Sequence, residues 1–162
     1  MRRILLSSLL CLAPTLFANP VKVIVSVDWE GESLKSSNLA AFENFRDDYP
    51  EINIMHFLNA AYYTKPNADE NLVQYKILRI LRNGDEQGMH IHSWRSLVEA
   101  AGVTYRSTPS WEGRPDWAPY DCGHNVPMSA YTYEELRQII HYSVSVLTER
   151  GDRKSTRLNS SH

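Results

Sequence analysis

Apolar and β-branched residues crowd Val21 to Val27, interrupted by Lys22 and Ser26, and the run ends in Asp28-Trp29-Glu30-Gly31. This pattern predicts a buried strand with polar residues at its carboxyl end. Leu39 to Tyr49 fits a short helix, with Asn38 as N-cap and Pro50 just past its end. Ile52 to Leu58 reads as a second strand, and Pro66-Asn67 as a turn. Glu70 to Arg82 fits an amphipathic helix with Leu72, Ile77, Leu78 and Leu81 inward, Arg79 and Arg82 outward, and Gly84 at its stop. Gly88 to His92 reads as a third strand. Ser93 to Ala130 is punctuated by Pro109, Pro115, Pro119 and Pro127 and predicts a long irregular segment, with a short helix from Leu97 to Ala101. Thr132-Tyr133-Glu134-Glu135 is a capping box. It opens a helix with Leu136, Ile139, Ile140, Ser143 and Leu147 along one face and Gly151 at its end. Strands alternating with helices predict an α/β fold on a parallel sheet.

The two ends read differently from this middle. Arg2 and Arg3, the apolar stretch from Ile4 to Leu12 and a small residue at Ala18 fit a secretory signal over residues 1–18. That stretch is shorter than the roughly 20 residues of a permanent span, and Leu10 before Cys11 argues against lipid attachment. The expected location is therefore outside the cytoplasm, periplasmic or extracellular. Asp152 to His162 resembles the in-frame translation of a sequencing-library adapter, so the domain is expected over residues 19–151 and to stop short of its native end. The whole chain holds 17 basic and 19 acidic residues. The two ends take five of the basic residues and one of the acidic, leaving a formal charge of −6 between Asn19 and Gly151. That balance argues against a nucleic-acid partner. Only Cys122 lies outside the signal, so no internal disulfide is expected. No stable membrane span and no protein partner are inferred.

Two short clusters carry the chemistry. Asp28 and Glu30 sit two apart at the end of the first strand, so extended backbone points them to one side. His90 and His92 repeat that spacing at the end of the third strand. Parallel α/β folds place their sites outside the carboxyl ends of the strands. Two carboxylates and two imidazoles there suit a divalent metal, and zinc accepts this ligand mixture. Taken singly, the acidic pair also fits solvated turn residues, and either histidine a hydrogen-bonded structural role. His56, between Ile54 and Leu58, reads as a core histidine, and His141 as a surface residue. Trp29, Trp94, Trp111 and Trp117 fall near the same rim, where indole faces either stack on sugar rings or pack loops. Cys122 has no basic neighbour to activate it as a nucleophile.

Several segments resemble the polysaccharide deacetylase (NodB-homology) family. Val25 to Gly31 is similar to its first motif in a spaced D-x-E form, and Ile54 to Asn59 to its second strand. Asn83 to His90 is similar to its Gly-His-Glu-Ile-Gly-x-His stretch, and Tyr131 to Leu147 to a later helix. The resemblance implies an incomplete distorted (β/α) barrel, with parallel strands inside and helices outside. It implies a metal-dependent hydrolase acting on carbon–nitrogen, non-peptide bonds, which removes acetyl groups from N-acetylated glycans. Asp28 would be the general base, and Glu30 and His90 metal ligands. Trp29 and Trp94, from their place at the rim and their aromatic faces, are the expected substrate-binding residues. The family's second histidine falls four residues after the first, where this chain has Trp94; His92 is the substitute, with Asp121 or His124 as further possibilities. The implied cofactor is a divalent metal, zinc first, and the implied partner a glycan. The family's later arginine and histidine motifs would lie beyond Gly151, so the chain is expected to be inactive alone. Two alternatives stand beside this reading. One is a hydrolase of a non-sugar C–N bond, and the other a carbohydrate-binding or structural domain that kept the scaffold and lost catalysis.

Overall fold

The computed structural model describes residues 21–30, 34–110, 123 and 126–151. Three strands, β1 (Val25–Asp28), β2 (Ile54–Asn59) and β3 (Glu86–His90), form a parallel sheet in the order β1-β2-β3. The helices are α1 (Ser36–Asp48), α2 (Ala61–Thr64), α3 (Glu70–Ile80), α4 (Arg95–Ala100) and α5 (Tyr133–Val146). A 3₁₀ turn (Met128–Ala130) precedes α5 and a π turn (Leu147–Gly151) follows it. The expected α/β class and parallel sheet are both present, as an open three-stranded sheet among these residues.

Element boundaries shift for identifiable reasons. β1 begins at Val25 instead of Val21, and Val21, Val23 and Ile24 lie outside the ladder, largely exposed. β3 runs from Glu86, not Gly88, because Met55 and His56 of the central strand pair with Glu86 and Gln87; hydrogen-bonded pairing overrides the polar character of those two residues. It ends at His90, so His92 lies two residues past the strand. Beyond that point β2 has also ended, and Asn59 turns its side-chain oxygen to the Ala61 N–H at 2.9 Å, opening α2. α1 starts at Ser36, and Lys35 occupies the cap position in place of Asn38.

The inward face of α3 also differs from the expected one. Ile77 and Ile80 are fully buried, with Val73 and Leu81 packed beside them, while Leu72 and Leu78 are exposed. The helix stops at Ile80, and Arg82 lies half-buried instead of outward, its guanidinium donating to the Arg46 carbonyl at 2.6 Å. Gly84, with φ of +95°, turns the chain toward β3. On α5, Ile139 and Ser143 are buried as expected, Val146 joins them, and Ile140 faces outward. Ser143 satisfies its buried hydroxyl on the Ile139 carbonyl at 2.8 Å. The core gathers Leu39, Leu58, Ile77, Ile80, Leu97, Val98 and Ile139 between sheet and helices. Among the described residues, no helix is long and apolar enough to cross a membrane.

The capping box of α5 forms in full: Thr132 accepts from the Glu135 N–H, and Glu135 from the Thr132 N–H at 2.8 Å. Glu135 also accepts from Arg106 at 2.8 Å, which ties α5 to the segment after α4. The Arg106 guanidinium, with the Thr132 backbone N–H, holds the Glu135 carboxyl down at about 2, against 4.5 for a free glutamate. A depressed folded-state pKa contributes stability that is present above the unfolded value and lost as pH falls toward the folded one. Stability should therefore drop between about pH 4.5 and about pH 2 partly through this group. Denaturant titrations of Glu135→Gln across that window should show a flatter pH dependence than the native chain; an identical dependence would contradict the assignment.

Candidate metal centre at the carboxyl rim

The ladder delivers both clusters to one edge of the sheet. Asp28 pairs with Phe57, Phe57 with Gly88, and Asn59 with His90, so β1 and β3, which flank β2, both end at the carboxyl end of the sheet. Gly88 is required by close approach: a Cβ there would sit 2.7 Å from the Phe57 ring. Glu30, just past β1, points its carboxylate across the strand ends. Its Oε2 accepts from His92 Nε2 at 2.8 Å and from His90 Nε2 at 3.1 Å. The two imidazole centroids are 4.6 Å apart.

One carboxylate oxygen and two imidazole nitrogens thus lie within 4.8 Å of one another. Atoms about 2.0 Å from a shared tetrahedral ion are roughly 3.3 Å apart, so this donor set needs little movement to close on zinc. Three protein ligands leave a fourth position open, as in zinc sites that work on substrates. The side chains of Glu30 and His92 are 58 % and 30 % exposed, so that position faces solvent. The hydrogen bond from His92 outweighs the opposing effect of burial and, joined by the weaker pull of His90, holds the Glu30 carboxyl below its ordinary range. An anionic Glu30 is the form a cation requires.

Asp28 stands beside this group and outside it. Its Oδ2 is 3.9 Å from His90 Nδ1, too far for a hydrogen bond, and the side chain is 52 % exposed. The two tryptophans expected to bind substrate are placed differently. Trp29 is 9 % exposed and turns to the opposite side of the strand from Asp28 and Glu30. Trp94 is 3 % exposed, with Lys65 Nζ 3.8 Å above its ring. Against the same indole lies Gly123, whose φ is +69° and whose Cβ, if present, would fall 2.2 Å from the ring. Both rings pack into the core, and Trp29 also lines the cavity that opens beside Asp28 and Glu30. Trp94 stands where the resemblance puts a second histidine, and it supplies no ligand because its indole nitrogen only donates. Asp121, Cys122, His124, Trp111 and Trp117 lie outside the described residues.

A cavity of 350 Å³ opens beside Asp28 and Glu30, walled by Val27, Leu34, Leu39 and Phe42 with Lys35 and Tyr62. Tyr62 was not singled out from the sequence. It follows the carboxyl end of β2, the same rim that marked the other residues, and that position was the available signal. Burial, and then the charge of Glu30, pushes its phenol up to about 12. It therefore stays protonated through the neutral range and can act as a hydrogen-bond donor.

No family model, curated protein or solved structure matches this chain.

If Glu30, His90 and His92 form one site, His90→Ala and His92→Ala should each lose most zinc affinity. His141→Ala, on the exposed side of α5, should leave it unchanged. Calorimetric titration of the three variants checks this; undiminished binding in His90→Ala would remove the site from this rim.

Proposed function

We infer that this chain belongs to a metal-dependent hydrolase of the polysaccharide deacetylase type, which splits the amide of an N-acetylated glycan into acetate and an amine. The observation that carries this reading is the convergence of Glu30, His90 and His92, with an uncommitted carboxylate, Asp28, alongside. A divalent ion held by those three residues, zinc first, would polarise the acetyl carbonyl and acidify a water. Asp28 is free to take the proton of that water as it attacks the carbonyl carbon, and to return it to the departing nitrogen. The cavity beside Asp28 gives the substrate room to approach, and the Tyr62 phenol can donate a hydrogen bond from its wall. The open parallel sheet is compatible with the opening strands of a distorted (β/α) barrel, which the motif order supports. The signal-like residues 1–18 support an exported location, where glycans are met.

A second reading has its own support. The cavity beside Asp28 is walled largely by apolar side chains, among them Val27, Leu34, Leu39 and Phe42, which suits the amide of a less polar, non-sugar substrate.

The two carboxylates should differ in kind. Asp28→Asn keeps the ligand set and should bind zinc normally, yet lose about 10²–10⁴-fold in rate, the usual contribution of a general base. Glu30→Gln removes an anionic ligand and should weaken zinc binding, with part of the activity restored by added metal. Acetate release from an N-acetylated oligosaccharide by the full-length protein, run beside zinc titrations, checks both. Loss of zinc in Asp28→Asn with retention in Glu30→Gln would reverse the roles. Acetate release unaffected by either change would remove the mechanism from this pair.

A further inference from the structure

Beneath the rim lies a buried polar chain that the hydrolytic reading does not use. His56, fully buried in the central strand, accepts the Trp29 Nε1–H at its Nδ1, 3.0 Å away. Indole nitrogen only donates, so the proton of His56 must sit on Nε2. That nitrogen lies 3.2 Å from Asp85 Oδ2 and donates to it. Asp85, just before β3, also accepts the Ile54 N–H at 2.9 Å, the Arg82 N–H at 2.8 Å and the Arg46 guanidinium at 2.9 Å. Burial works against its ionisation, yet the two backbone N–H groups and Arg46 hold its carboxyl below the ordinary range. Burial likewise lowers His56, against the pull of Asp85, and favours the neutral ring. The indole and imidazole planes stack with an 11° tilt, and Phe42 closes edge-on against both.

The position of this chain of bonds gives it a consequence for the rim. Among the described residues, the last backbone bond tying down the end of β1 is Trp29 N–H to the Phe57 carbonyl, 2.9 Å. Asp28 and Glu30 flank Trp29 and alternate with it, so an indole fixed on one side of the backbone directs both carboxylates to the other. Packing alone does not require this arrangement. A buried imidazole, carboxylate and guanidinium cost desolvation that an apolar trio would avoid, and such groups are best understood where they specify a geometry.

We propose that His56, oriented by Asp85 and Arg46, is a positioning residue that clamps Trp29 and thereby aims Asp28 and Glu30 at His90 and His92. This rests on the metal reading above for its functional consequence, while the clamp itself can be observed without metal.

The two halves of the imidazole can be replaced separately. His56→Asn keeps an acceptor near Nδ1, where Trp29 binds, and loses the group that meets Asp85. His56→Gln keeps a donor near Nε2 and loses the acceptor for Trp29. Both variants remove the same buried ring, so a purely structural role would weaken both alike. The clamp predicts that the Trp29 indole N–H, assigned by its absence in Trp29→Phe, stays protected from solvent exchange in His56→Asn and loses protection in His56→Gln. Zinc affinity should stay near the native value in His56→Asn and fall roughly 10–100-fold in His56→Gln, the range for groups that orient metal ligands. Trp29→Phe, which keeps a packing ring but no donor, should show the same fall and serves if His56→Gln does not fold. Equal zinc affinity in the Asn variant and in the Gln or Phe variant would overturn the proposal, as would an indole proton indifferent to His56→Gln. Zinc uptake by none of the chains, native included, would overturn the metal reading, and the indole exchange pattern would then decide the clamp by itself.

Discussion

Register in the parallel ladder decides which way each side chain at the strand ends points. Pairing of Asp28 with Phe57 and of Asn59 with His90 brings the ends of β1 and β3 to one edge of the sheet. Side chains alternate along a strand, so a one-residue slip would turn every rim residue to the other face. Gly88 helps to exclude the slip, because the Phe57 ring occupies the space a side chain would need and only a glycine can sit under it. On the far side, Asp85 accepts the first N–H of β2 and so fixes where β3 begins relative to its neighbour.

The same side chains link the helical layer to the sheet. Arg46 reaches inward from α1 to Asp85 and to the Ile52 carbonyl at 2.7 Å, while Arg82 reaches back from the end of α3 to the Arg46 carbonyl. Ion pairs on the solvent side, such as Arg95 with Glu99, contribute little by comparison, because water screens them. Order at the rim is therefore built from below. The polar cluster under the sheet is almost closed to solvent, and the candidate site above it stays open.

Much of this was legible in the residues, for physical reasons that also mark where the reading stopped. Apolar runs mark β1 and β2, and the D-x-E and H-x-H spacings single out Glu30, His90 and His92 in the sequence. The capping box announced α5, since its two hydrogen bonds are local and encoded four residues at a time. The inward face of α3 was misjudged because apolar residues lie on both sides of that helix, and only packing against α1 and the sheet selects Ile77 and Ile80 over Leu72 and Leu78. The start of β3 was missed because Glu86 and Gln87 carry no apolar signal and owe their extended form to β2. His56 could be read as buried. Its partners could not, because Trp29 and Asp85 lie 27 and 29 residues away and meet it only through the fold. The tryptophans Trp29 and Trp94 show the same limit: proximity to a rim in sequence does not tell which way a ring turns.

If Glu30, His90 and His92 bind one cation together, X-ray absorption at the zinc edge of the zinc-loaded chain will read their atoms in its first shell. The expected spectrum has a first shell of nitrogen and oxygen at about 2.0–2.2 Å with the outer scattering of two imidazoles and no sulfur. A sulfur shell at about 2.3 Å, or an oxygen shell with no imidazole scattering, would contradict it.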